Sequence, residues 1–188
     1  MSIELLAIIV TVILAFTGYI INHYNNVRLL KQKERLDLIE KRINEFYGPM
    51  YISSMAGKTA YKTLLQKLGK RKVFDENNPP DEEQLKEWRI WSETVFMPIN
   101  EFREELIYKN AYLIMDEEIP QTFVGFVTHV TAYKVILKKW EMGDFSEHTP
   151  ALDFPEGFFE HIEEAYLRLK KEQLRLIGES NNSWRANL

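Results

Sequence analysis

Residues 5–21 read LLAIIVTVILAFTGYII, and no charged side chain interrupts the chain from Leu5 to Val27. As a helix at 1.5 Å per residue, those 17 residues reach roughly 25 Å. That is near the lower limit for a bilayer core, and Asn22–Tyr24 extend it as an interfacial turn. Tyr19, His23 and Tyr24, with an apolar ring body and a polar tip, suit the headgroup level. A buried core helix would keep one polar face, which Leu5–Phe16 lacks. A cleaved signal peptide would carry a basic stretch ahead of the apolar run, where this chain has Met-Ser-Ile-Glu. The expectation is an uncleaved membrane span, with residues 1–27 as the anchor.

The flanks give the orientation. Residues 28–42 hold six basic groups, beginning with Arg28 and Lys31, against three acidic ones, and nothing basic precedes the span. The excess of Lys and Arg places the following domain in the cytoplasm and the N-terminus outside. The remaining 146 residues carry 18 basic and 24 acidic groups, so this acidic part should stand off an anionic lipid surface. The whole chain, 188 residues with a net charge of −4, lacks the basic face of a general nucleic-acid binder. With 45% apolar residues it can bury a core, and without cysteine it has neither disulfides nor thiolate chemistry.

Everything after the span reads as helix. In Leu29–Phe46, a juxtamembrane helix over 28–47, Leu29, Leu36 and Ile43 lie seven apart and Gln32, Ile39 and Phe46 fill the complementary positions. This is either a short self-association stalk or an amphipathic helix packed on its own domain. Gly48-Pro49 is expected to interrupt it, because proline lacks a donor and disfavours helix in the preceding residue. A second helix follows over Met50–Leu68 with the stripe Tyr51, Met55, Lys58, Tyr61, Leu65 and Leu68, closed by Gly69. Lys70–Pro80 reads as a long exposed loop and the first place for disorder. Asp81 is placed to cap a third helix carrying Leu85, Trp88, Val95 and Phe96. Pro98 kinks it or opens a fourth, Ile99–Met115, with Phe102, Leu106, Tyr112 and Leu113 inward. Pro120 starts the next, Pro120–Glu141. After a loop, Pro155 opens the last helix, which Gly178 ends, leaving a polar tail over 179–188 in which Trp184 is hard to place in a core. The fold class is all-α: one transmembrane helix, then a cytoplasmic bundle of five or six helices over 48–178.

Motifs of chemistry are sparse. Gly57-Lys58-Thr59 looks like the end of a phosphate-binding loop, but Ile52 stands where the first glycine belongs and no strand precedes it. Asp144, Glu147, His148 and His161 have metal-ligand chemistry without the repeated i, i+3 spacing that helical metal sites use. No nucleophile elbow or dinucleotide turn is present, and neither a cofactor nor a metal is implied. Trp88 and Trp91, three apart on a helix, lie near Arg89 and Arg103. They suit either core packing or a pocket for an anionic ligand or a protein partner.

Phe46-Tyr47-Gly48-Pro49-Met50, the run from Trp88 to Asn100, His129–Lys134 and Asp144–Thr149 together resemble a group of bacterial single-span membrane proteins of unassigned function. The resemblance spans most of residues 40–177 and implies a bacterial inner membrane, with no activity to carry over. The functional expectation is a membrane-tethered, non-enzymatic interaction module that binds a protein partner or itself. The alternative is a small-ligand sensor that oligomerises through its span.

Overall fold

The computed structural model describes the backbone of residues 2–186 and the side chains of residues 2–178. It is all-helical, and the described residues contain no strand beyond an isolated Asp75–Asn78 bridge. Six α-helices occur among the described residues: α1 Ile3–Arg42, α2 Gly48–Leu68, α3 Glu82–Trp91, α4 Met97–Asn110, α5 Gln121–Glu141 and α6 Phe158–Ala186. They divide into two compact units, residues 2–40 with 172–186, and residues 41–171.

In the first unit, every residue from Ser2 to Lys31 is exposed. The one helix, among the described residues, that is long and apolar enough to cross a membrane begins here, at Ile3. The two threonine hydroxyls of α1 bond back into the helix, Thr11 to the Ala7 carbonyl (2.9 Å) and Thr17 to that of Ile13 (2.8 Å), so neither presents an unpaired polar group outward. Tyr19 and His23 stack one turn apart at 6.2 Å. Further along, α1 is paired with the end of α6, antiparallel: Gln32 donates to the Leu176 carbonyl (3.3 Å), Arg35 pairs with Glu172, and Gln173 donates to Glu40 (3.2 Å). Part of the stripe that could have met a second copy is therefore engaged within the chain, while Leu29 stays exposed. Gly178 does not end α6. Its φ is not positive, and a glycine in ordinary helical geometry costs only about 1 kcal/mol against alanine, so the helix runs on to Ala186. The Trp184 side chain lies outside the described residues.

In the second unit, the chain stays helical at Gly48-Pro49, contrary to expectation. Ile43–Tyr47 forms a π-helical turn closed by Gly48 N–H donating to the Ile43 carbonyl, and Pro49 sits in the first turn of α2, where its missing donor is not needed. Only glycine fits at 48, since a Cβ would stand 2.5 Å from the Ile43 oxygen. Pro98 is handled the same way: Ser92–Phe96 is a second π-turn, closed by Met97 N–H on the Ser92 carbonyl, with Pro98 in the first turn of α4. α4 ends at Asn110 and passes into a 3-10 turn, Ala111–Leu113, short of the expected Met115. Pro120 caps α5 from outside (ψ 137°) instead of being its first residue. Asp81 does cap α3, in a reciprocal box: it accepts from Gln84 N–H (2.8 Å), and Gln84 Oε1 accepts from Asp81 N–H (3.1 Å).

The core of this unit is aromatic. Phe126 stacks on Phe158 (4.2 Å between centroids), Phe123 and Phe154 meet that pair edge to face at 5.6–5.8 Å, and Phe46 meets Phe123 in the same way at 5.9 Å. Two expected stripes are displaced by one residue. On α2 the inward series is Met50, Ser54, Gly57, Tyr61 and Leu64, while Met55 points out. On α4, Met97, Arg103, Glu104 and Ile107 are buried and Phe102 is exposed. Small residues occupy the inner face of α2 because a guanidinium from α4 lies against it. The segment 70–80 is not a free loop. Val73 is buried, and Phe74 meets Trp88 edge to face at 5.3 Å.

Candidate functional site

The second unit encloses a cavity of about 450 Å³. Lys58 and Tyr61 reach it from α2, Phe74 from the 70–80 segment, Trp88 from α3, and Ser92 and Phe96 from the second π-turn. Asn100 and Arg103 line it from α4, His129 and Tyr133 from α5, Thr149, Pro150, Leu152, Asp153 and Phe154 from the following loop, and Phe159 from α6. Ser92 and Phe96, four apart and so on one face of the helical chain, both look into the cavity.

Arg103 is the unusual member. It is 2% exposed, yet it has no carboxylate partner among the described residues. Its contacts are neutral: Nε donates to Ser53 Oγ (3.2 Å), Nη2 to the Ser53 carbonyl, and Nη1 to Asn100 Oδ1 (2.9 Å), with the Phe159 ring 5.6 Å from the guanidinium carbon. Burial pulls its pKa down to about 10, which still leaves it charged at neutral pH. A buried, unpaired charge is costly, so the fold bears a penalty that a bound anion would relieve. Exposed Lys58 and Lys72 also line the cavity, against the single carboxylate of Asp153.

Gly57 makes this placement possible. A Cβ there would stand 2.7 Å from Arg103 Nη2, the nitrogen that reaches the Ser53 carbonyl. The Gly-Lys-Thr triplet is thus a seat for a guanidinium inside a helix, not the end of a phosphate loop. Gly57→Ala should lower the melting temperature, since the guanidinium that must yield is buried and gives up its bond to the Ser53 carbonyl, which outweighs a helix gain of about 1 kcal/mol. The same change should weaken any anion response by displacing the guanidinium, as thermal melts with and without organic anions would read.

The loop after α5 is strapped over the cavity by its own carbonyls. Trp140 Nε1 donates to Glu147 O (2.8 Å), while Trp88 Nε1 and Tyr133 Oη both donate to His148 O (3.0 Å each). His129 Nδ1 lies 2.7 Å from Leu152 O; a carbonyl only accepts, so that nitrogen carries the proton. Ser92 Oγ is 3.2 Å from Tyr133 Oη, and burial pushes the Tyr133 phenol up to about 12.

His148 caps this strap, its ring stacked on Phe74 at 6.4 Å with Nδ1 buried and unpaired. Its pKa is lowered, first by burial, then by nearby Arg89, with Glu82 opposing. A depressed histidine contributes stability that is present above its unfolded value near 6.5 and lost as pH falls through the folded one. Melting temperature should therefore drop as pH falls below about 6.5, and His148→Gln should flatten that slope.

Of the four candidate contacts, Trp88 and Arg103 line the cavity; Arg89 and Trp91 do not. Arg89 is buried beside it, pairing with Glu82 (2.9 Å) and stacking over Phe145 at 4.5 Å. Trp91 donates to Glu87 (2.8 Å) and shares the Phe96 ring with Trp88, at 6.0 and 5.6 Å. Sequence reading gave Gly57 and Tyr61 other roles and missed Ser53, Asn100 and the aromatic walls Phe74, Phe154 and Phe159. Among the described residues no group of three or more His, Asp or Glu side chains converges to hold a metal ion. His161 lies 3.5 Å from Asp116, and Glu147 pairs with Lys139 (2.5 Å). No protein family, curated protein or solved structure matches the chain.

Proposed function

We propose that this chain is a single-span membrane protein whose helical body holds a small organic anion on Arg103, without catalysing a reaction. The observation that carries the reading is a guanidinium, almost wholly buried, with no anionic partner among the described residues and a cavity of about 450 Å³ beside it. That volume is in the range of small-ligand sites. The span is Leu5–Ile21, whose exposed side chains need a lipid environment. The basic residues from Arg28 to Arg42 argue for a cytoplasmic body, a bundle of α2–α6, and the resemblance to bacterial single-span proteins argues for a bacterial inner membrane. Self-association through the span would then pass on whether the cavity is filled.

The test is the melting temperature of the full-length protein in detergent against a panel of small organic anions and their neutral analogues. A ligand at 100 times its Kd adds about 2.7 kcal/mol, a rise on the order of 5–10 °C for a unit of this size. The expected rise is confined to anions and absent from Arg103→Gln. A flat response to every anion, identical in the two proteins, would contradict the reading.

A further inference from the structure

We infer that the ligand is an aromatic monocarboxylate: one carboxylate on Arg103 and one flat ring system between the aromatic walls. This rests on the anion-binding reading above and names its ligand class. A guanidinium has five N–H donors. Three are committed, Nε and one on Nη2 to Ser53 and one on Nη1 to Asn100, so each terminal nitrogen keeps one N–H. Two donors, one on each terminal nitrogen, match the two oxygens of a carboxylate, the pairing that the planar fork favours.

The charge limits the ligand to one anionic group at this depth. Among the described residues Arg103 is the one Lys or Arg lining the cavity that is buried, since Lys58 and Lys72 are exposed. A phosphate dianion or a polyphosphate would leave a second charge desolvated among rings, at a cost of several kcal/mol. The rest of the lining fixes the body of the ligand. Tyr61, Phe74, Trp88, Phe96, Phe154 and Phe159 surround the space, joined by Met97 and Ile99. Such walls favour a rigid ring that stacks or meets them edge to face, because it loses little rotamer entropy on binding.

The experiment is calorimetric titration of the full-length protein in lipid nanodiscs with benzoate, 3-phenylpropionate and 2-naphthoate. Each is compared with its carboxamide, with the corresponding cyclohexane acid, and with inorganic phosphate. The expected result is one-site binding of at least one aromatic acid, at least about thirtyfold tighter than its amide. The aromatic acid should also exceed the cyclohexane acid severalfold, and Arg103→Lys should lose most of the gain because an ammonium has no fork. Binding of phosphate or of aliphatic acids through Arg103, with aromatic acids inert, would overturn the ligand class and leave the anion-binding reading standing. No saturable binding by any of these acids or by phosphate, in wild type and variant alike, would overturn both.

Discussion

Arg103→Met is expected to melt at or above the wild-type temperature and to bind no anion at all. The reasoning is electrostatic. Arg103 is 2% exposed, and burial alone lowers its pKa to about 10, so the folded state strains against its charge. Its acceptors are neutral and do not depend on it, because the Ser53 carbonyl also serves the backbone of α2 and Asn100 is half-exposed. Methionine has comparable length and no charge, and replacing a buried ion by an apolar side chain is often neutral or stabilising by roughly 1–4 kcal/mol. A residue kept for structure would show the reverse. Removing one partner of a buried charge pair typically costs about 2–5 kcal/mol in affinity, so the anion-induced rise in melting temperature should vanish. Thermal melts of the two full-length proteins, with and without ligand, check both halves.

Phe126→Ala should have the largest effect on folding, a loss of about 3–5 kcal/mol. Phe126 is fully buried, stacked on Phe158 at 4.2 Å and set edge to face against Phe154 at 5.6 Å. Its removal leaves a void that α5 and α6 can close only in part, because Phe123 and Phe46 already fill the neighbouring space. Phe154 is also a cavity wall, so the loss reaches the site. Urea unfolding should show a lower midpoint, and residual folded protein should bind anions more weakly. Phe102→Ala is the control, since Phe102 is 44% exposed and should change the midpoint little.

What the sequence discloses follows the strength of its periodic signals. The apolar run 5–21 and the Asp81 cap are legible, because long unbroken patterns and cap chemistry act locally. The two π-turns are not. Proline at 49 and at 98 predicts a break or a kink, yet a single wide turn before each keeps the chain helical by placing the proline where no donor is required. Large residues misled the reading of the inner faces of α2 and α4. Ser53 and Gly57 are small where Arg103 docks, and a charged residue between Ile99 and Ile107 at four-residue spacing is its trace in the sequence. Trp88 and Arg103 are legible as aromatic and cationic neighbours. Their convergence on one cavity depends on the loop strapped to Trp88, Tyr133 and Trp140, a long-range arrangement that spacing does not encode.

The most direct measurement is a crystal structure of the full-length protein grown with 4-bromobenzoate, using the anomalous signal of bromine. The account predicts one bromine peak inside the cavity between Phe74, Trp88 and Phe159, with the carboxylate oxygens within hydrogen-bond distance of the two terminal nitrogens of Arg103. Bromine only at the surface, or a carboxylate side chain of the protein closed onto Arg103, would contradict it.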